Sequence, residues 1–353
     1  MLKDLKYLLA FIPTVCAYIA VLWGGAWSFA AIIFAFVGIP LMELLTSNDG
    51  DNLTSEQENS KLVNRFFDIL LYLNLPLLYV LIWFYFDRIA AGGLEVYEVI
   101  GMTFSVGVVV GSLGINVAHE LGHRNTWYEQ FMSKALLLSA LYMHFFIEHN
   151  RGHHLKVATV EDPATSRYGE NIYAFWFRST INSYLDAWKL EATRLNREGI
   201  AVLSLNNEML RFQLVQIAYL SIVGLVFGWQ MVLFAIAIAI VGFLQLETVN
   251  YIEHYGLERK KMPNGRYEHV QPHHSWNSNH DMGRIFLYEL TRHSDHHFKA
   301  NRKYQVLRHF EEAPQLPTGY PGSMLIALVP PLWFRMMNSR VKEEVNRVEL
   351  ALG

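Results

Sequence analysis

The chain has almost no cysteine, and long stretches of it carry no charge. Its single cysteine, Cys16, rules out an intrachain disulfide, a thiolate zinc site and a cysteine-ligated iron–sulfur cluster. Cys16 lies within an apolar run and reads as a small core or lipid-facing residue. Internal repeats and low-complexity segments are also lacking, so no repeat architecture is expected. Charged residues make up only 17% of the chain, against about 25% in a soluble domain.

The charge deficit is local. Residues 7–42, 69–86, 99–118 and 212–246 contain no Asp, Glu, Lys or Arg. A helix needs about 20 apolar residues to cross a bilayer. The first and last runs are long enough for two crossings each, with turn signals at Gly24-Gly25 and Gly228-Trp229. Six spans are therefore expected, near residues 6–23, 27–45, 67–87, 97–118, 211–227 and 231–250. Core helices of soluble proteins rarely lack charge over such lengths. The N-terminal run is too long for the apolar region of a signal peptide and is read as a retained span. The polar run 46–59 reads as a loop.

Orientation follows from the cations. With six spans, residues 24–26, 88–96 and 228–230 form the short connections on one side. Of the 29 Lys and Arg, only Arg88 falls there. The positive-inside rule puts both termini and both long polar regions in the cytoplasm. The expected fold is an all-α integral membrane protein, a single membrane domain over 1–353. Residues 6–118 hold the first four transmembrane helices. Residues 119–210 form a cytoplasmic-side helical region, 211–250 spans five and six, and 251–353 a second cytoplasmic-side region.

Against this background, histidines gather beside the spans. His119 and His123 follow the fourth span at helical i, i+4 spacing. His149, His153 and His154 follow an apolar segment, 135–147, that is too short to cross and is read as a helix packed inside or lying at the interface. His149 and His153 share the i, i+4 spacing, and His154 points about 100° away, toward a second metal. His254 lies just past the sixth span. His293, His296 and His297 have i, i+3, i+4 spacing, which suits one helical face. Neutral imidazole is the commonest ligand for a transition metal, and so many exceed what one ion of about four to six ligands can use. The reading is a histidine-rich di-metal site at one membrane edge.

Glu120, Glu148, Glu253 and Asp295 stand beside these histidines as candidate acceptors for a ligand N–H. His144 is read as a hydrogen-bonded core residue. His269, His273, His274 and His280 fall in a Pro-, Ser- and Asn-containing loop that caps the site or meets a partner. Residues 324–333 contain Pro330-Pro331, are too short to span, and are expected to dock at the interface.

These residues resemble the membrane-bound non-haem di-iron desaturase and hydroxylase superfamily. Within it, the chain resembles the alkane 1-monooxygenases of hydrocarbon-degrading bacteria. The matching strings are His119-Glu-Leu-Gly-His123, the segment from Phe145 to His154, and Asp162-Pro-Ala-Thr-Ser-Arg167. They continue with Asn250-Tyr-Ile-Glu-His-Tyr-Gly-Leu257, the segment from Pro272 to His280, Arg292-His-Ser-Asp-His-His297 and Leu316-Pro-Thr-Gly-Tyr-Pro-Gly322. The resemblance implies two iron ions held by His119, His123, His149, His153, His154, His254, His293, His296 and His297, with no catalytic residue beyond these ligands. It implies O2-dependent terminal hydroxylation of medium- to long-chain n-alkanes to 1-alkanols in the bacterial cytoplasmic (inner) membrane. It also implies electrons from rubredoxin, supplied by an NAD(P)H-dependent rubredoxin reductase. One cysteine leaves no fused rubredoxin, so the donor is a separate chain.

Arg259, Lys260, Lys261, Arg302 and Lys303 are candidate contacts for an acidic donor. An alkane offers no polar handle, so an apolar channel must select it by shape and length. Ala35, at a position that is bulky in some relatives, is the candidate channel residue, and its small side chain suits chains beyond about eight carbons. A xylene-type or other hydrocarbon monooxygenase is the alternative within enzymes, and a metal transporter the alternative outside them. Transporters usually place ionisable groups near the membrane midplane, where this chain is bare of charge. No nucleic-acid partner is expected.

Overall fold

A computed structural model describes residues 2–46, 48 and 50–352. Residues 47 and 49 of the polar run 46–59 lie outside the described residues. The described residues are helices, turns and three isolated β-bridges. Among the described residues, six helices are long and apolar enough to cross a membrane: Lys3–Trp23, Gly25–Glu43, Phe66–Ala90, Val96–Gly122, Glu208–Phe227 and Met231–His254. They match the six spans expected from the four charge-free runs, and the fourth and sixth continue beyond those runs to carry His119 and His254. Gly24 (φ 62°) and Gly228 (φ 98°) make the tight turns after the first and fifth spans, in backbone conformations that side chains rarely adopt.

The chain divides into two compact units. The first comprises Met1–Gly38, Arg65–Arg151 and Tyr184–Leu246; the second comprises Ile39–Asn64, Gly152–Ser183 and Glu247–Gly353.

In the first unit the fourth span is the central helix. Small residues let its neighbours approach closely, as apolar lipid cannot drive helices together by itself. A Cβ on Gly101 would meet Ser28, one on Gly107 would meet Val241, and one on Gly111 would lie 2.9 Å from the Gly242 carbonyl oxygen. The Ser105 hydroxyl donates to the Ser28 carbonyl at 2.8 Å. The fourth span also contains a π-helical turn, Val110–Ile115, just before Asn116–Gly122. Such turns are frequent at functional sites.

The apolar segment 135–147 is not one helix. Trp127–Ser139 ends, Leu141 adopts φ 49°, and a new helix begins at Phe145–Glu148. The Tyr142 N–H reaches back to the Leu137 carbonyl (3.1 Å) to close this turn. Its apolar character comes from burial of two helix ends, not from an interfacial helix.

In the second unit, Trp333 is fully buried against Tyr251 and Tyr255, with ring centroids 5.5 and 5.4 Å away. Segment 324–333 is thus split between two helices, Tyr320–Ala327 and Pro330–Leu352; Trp333 anchors the second in the unit's core, while Leu325, Leu328, Val329 and Leu332 remain exposed. Arg178 binds Glu170 (2.6 Å) and the carbonyls of Pro163 and Thr165 (both 3.0 Å), which fixes the turn after residue 161.

Candidate metal centre

Four histidines of the second unit converge. His153 comes from the π-helical turn His149–His153, and His254 ends the sixth span. His293 and His297 stand one turn apart on the short helix His293–Phe298. Their ligand atoms all lie within 4.8 Å of one another, and all four residues are buried. Nε2 of His293 is 3.2 Å from that of His254 and 2.8 Å from that of His297; Nε2 of His153 is 3.2 Å from that of His297. His154 and His296, in the same unit, pair at 3.1 Å through Nε2.

The surrounding chain explains this convergence. Asn277 holds the helix His293–Phe298, donating to the Ser294 hydroxyl (2.7 Å) and accepting from its N–H (2.8 Å). This gives the loop around His273–His280 its role: it braces the histidine helix. His274 is buried, with Nδ1 accepting from the Gln271 N–H and Nε2 3.3 Å from Glu268. Burial first, then His273 and Arg259, push its pKa down to about 3. His280 immediately precedes the helix Asp281–Phe286, with its Nδ1 3.0 Å from the Ser278 hydroxyl.

Asp162 is the residue that sequence reasoning missed. Its Oδ2 lies 2.9 Å from Nδ1 of His153 and accepts from the Thr165 hydroxyl at 2.6 Å, while Oδ1 accepts from the Ala164 N–H at 3.1 Å. Burial works against its charge, but His153 and Thr165 outweigh it and hold the carboxyl below the usual carboxylate range. A buried carboxylate behind a ligand ring fixes the ring's tautomer and orientation. The available signal was an Asp with Thr three residues on, the pattern of a local turn that presents the carboxylate.

The first unit holds His119, His123 and His149. His119 and His123 keep their i, i+4 spacing, with ring centroids 5.0 Å apart, and Nε2 of His149 lies 3.1 Å from that of His123. The segment carrying His149 is secured by Arg151, which reaches Glu191 (3.0 Å) and Glu208 (3.4 Å).

Several expectations are corrected. His149 and His153 do not act as one i, i+4 pair: the π winding separates them, so His149 joins His123 while His153 joins His254, His293 and His297. His296 likewise pairs with His154 and not with His297, because consecutive residues on a helix point about 100° apart. Asp295 turns to Arg302 (3.1 Å) and Arg308 (3.2 Å) and, among the described residues, accepts from no ligand ring. Glu120 pairs with Arg124 at 2.6 Å, and Glu148 is buried. Glu253 accepts from the Tyr320 hydroxyl (2.8 Å) and lies 3.3 Å from Nε2 of His293. His144 is buried between Tyr142 and Tyr184, but its Nε2 has no hydrogen-bond partner among the described residues. Burial pushes its pKa down to about 3.

Two docking candidates are structural. Arg259 donates to the carbonyls of Leu155 (3.0 Å), Val157 (3.3 Å) and Glu268 (2.7 Å). Arg302 joins Asp295 to Glu58 (2.9 Å). Lys260 approaches Glu349 at 3.8 Å, Lys261 lies 5.6 Å from the Tyr267 ring centre, and Lys303 begins the turn Tyr304–Val306. Ala35 is buried in a π-helical turn, Phe34–Gly38, of the second span.

The donor set fits a transition metal. Ring nitrogens aimed at one another at about 3 Å need a cation or a proton between them. Burial, and then the neighbouring histidines, push the pKa of His297 well below its ordinary value, so it stays neutral as a ligand must. Imidazole without thiolate suits iron, copper, nickel or zinc.

Residues 97–323 match the model of the fatty acid desaturase family. Alkane 1-monooxygenase 1 of Alcanivorax borkumensis is 40% identical over 347 residues, 97% of this chain and 85% of the relative. An alkane 1-monooxygenase of Pseudomonas putida is 41% identical over 92% of this chain and 80% of its own length. The hydroxylase component of a Pseudomonas putida xylene/toluene monooxygenase is 30% identical over 95% of this chain and 88% of its own length. The chain therefore belongs to the fatty acid desaturase family and, within it, groups with the alkane 1-monooxygenases.

Proposed function

We propose that this chain hydroxylates the terminal carbon of medium- to long-chain n-alkanes with O2, giving 1-alkanols. The nine histidines hold two iron ions: His153, His254, His293 and His297 hold one, and the other five complete the set. Electrons come from a separate rubredoxin and its NAD(P)H-dependent reductase. The protein resides in the bacterial inner membrane, with its termini and histidines on the cytoplasmic side.

The observation that carries this reading is the buried four-histidine cluster at the end of a membrane-length helix. Supporting it is the chain's identity of about 40%, over nearly its whole length, to relatives named alkane 1-monooxygenase. The iron ions supply the oxygen activation that no side chain offers. The protein groups bind and orient. Asp162 keeps the proton of His153 on Nδ1, leaving Nε2 free to ligate. The apolar spans admit an alkane from the lipid in which it dissolves, and burial of the histidines excludes water from the reacting carbon.

Metal analysis of purified protein, coupled to an octane and dodecane assay with rubredoxin, its reductase and NADH, tests the proposal. About two irons per chain with a 1-alkanol product is expected. Iron without alcohol from any linear alkane would move the substrate toward the methyl-aromatic class named for the 30% identical relative. Folded protein without iron would sink the reading.

A further inference from the structure

Two buried carboxylates meet the four-histidine cluster from opposite directions. Asp162 lies behind His153, against Nδ1, the nitrogen turned away from the cluster. Glu253 approaches the other way: its Oε2 is 3.3 Å from Nε2 of His293. That nitrogen is the one on which His254 and His297 converge, at 3.2 and 2.8 Å. We propose that Glu253 is a direct carboxylate ligand of the metal held by His153, His254, His293 and His297, and that Tyr320 is its positioning residue. The assignment rests on the metal-binding reading above and goes beyond an all-histidine donor set.

Three observations support it. First, a ring nitrogen cannot bind a metal and donate a proton to a carboxylate at once. If His293 ligates through Nε2, an oxygen 3.3 Å from that nitrogen shares the cation with it. Neighbouring donors on one metal stand about 3 Å apart, given bonds of about 2.0–2.2 Å to nitrogen and carboxylate oxygen. Second, Glu253 is 1% exposed, and among the described residues it has no Arg or Lys partner. Buried carboxylates are paired with a cation or coordinate a metal. A dication among four neutral imidazoles is the countercharge at hand. Third, the side chain is already aimed. Its Oε1 accepts from the Tyr320 hydroxyl at 2.8 Å, and Tyr320 is fully buried. Its main-chain carbonyl is held by the Trp276 N–H, also at 2.8 Å. The hydroxyl occupies one carboxylate oxygen and leaves Oε2 to face the histidines. Glu253 also precedes His254 on the same helix, so one backbone segment delivers both donors.

The test uses the full chain in detergent, stripped of metal and titrated anaerobically with Co(II) alone. The wild type is expected to take two ions. Glu253→Gln keeps the size and the Tyr320 contact but removes the charge. It is expected to lose at least about tenfold in affinity for one ion and to leave the other unchanged, a loss no smaller than that from removing an outer partner. The visible Co(II) absorption of the weakened ion should strengthen as five donors fall to four, which a purely structural role would not cause. Tyr320→Phe should retain both ions with a smaller loss at the same one.

A Glu253→Gln protein that matches the wild type in both affinities and in spectrum overturns the assignment. Should that variant fail to fold, wild-type protein grown with 13C-glutamate decides: a carboxylate ligand gives a 13C hyperfine coupling at the metal, and its absence overturns the assignment. Wild-type protein that binds no metal would instead sink the proposed function, and the ligand assignment with it.

Discussion

Nδ1 of His153 sits 2.9 Å from Oδ2 of Asp162, and this contact sets which face of the ring meets its histidine neighbours. A carboxylate only accepts, so the shared proton is on Nδ1 and the Nε2 lone pair points to His297, 3.2 Å away. Asp162→Asn presents an amide that can turn an N–H toward the ring and select the other tautomer. Iron retention under a chelator should fall about 10- to 100-fold. Asp295→Asn, whose carboxylate serves Arg302 and Arg308 instead, should retain iron like the wild type. Equal losses in the two variants would show that Asp162 has no special hold on the ring.

His144 separates a ligand from a buried bystander. It is buried beside Tyr142 and Tyr184 with its Nε2 unpartnered, and burial holds its pKa at about 3. The unfolded value is about 6.5, so below that pH the unfolded chain binds a proton that the folded chain refuses. Stability should therefore fall from pH 6.5 toward about 3, with this group contributing about 1.4 kcal/mol per pH unit. His144→Phe should keep both irons and flatten that decline, measured by thermal unfolding across the range. His293→Ala should abolish iron in its cluster together with activity.

Arg259 and Arg302 are expected to act through stability. Removing the Arg259 guanidinium leaves the carbonyls of Leu155, Val157 and Glu268 without their donor. Arg259→Ala should destabilise the fold by about 1–3 kcal/mol. The KM for reduced rubredoxin should stay within about twofold at fixed salt, since a rim charge acts mainly through on-rate and salt dependence. A raised KM with unchanged stability would return Arg259 to the donor interface.

These cases mark what the sequence could convey. Charge-free runs located all six spans, because lipid tolerates no unpaired charge and the signal is additive along the chain. His119 and His123 kept their helical spacing because the helix there is regular. His149 and His153 did not, because a π-helical turn follows from packing and has no composition of its own. Asp162 was hidden because its partner, nine residues away, is reached only through a turn fixed by Thr165 and Arg178. Cation counting assigned a side to Arg259, but it cannot distinguish a cation that caps carbonyls from one that faces a partner.

Gly111 tests whether the close contact of the fourth and sixth spans matters. Its missing side chain lets the backbone approach the Gly242 carbonyl, and a Cβ would also come within 2.6 Å of Gln245 Oε1. Backbone oxygen cannot move aside without shifting the helix. Gly111→Val should therefore lower thermal stability by about 1–3 kcal/mol through overpacking, while Leu233→Ala, at an exposed position of the sixth span, should cost less. Equal effects would mean that the two helices slide freely.

Ala35 carries the prediction on substrate length. It is buried, so added bulk there enters the protein interior and not the lipid. It also lies in a π-helical turn, Phe34–Gly38, where the regular face pattern of the second span is broken and a side chain is redirected. A channel that recognises an alkane by length alone responds to a plug at one depth by rejecting chains that reach past it. Ala35→Trp should therefore lower turnover of dodecane far more than that of octane in a competition assay, with iron content unchanged. A parallel fall for both alkanes would indicate general damage to the second span. An unchanged ratio with normal turnover would place the channel elsewhere and leave the selection of chain length to other residues lining the spans.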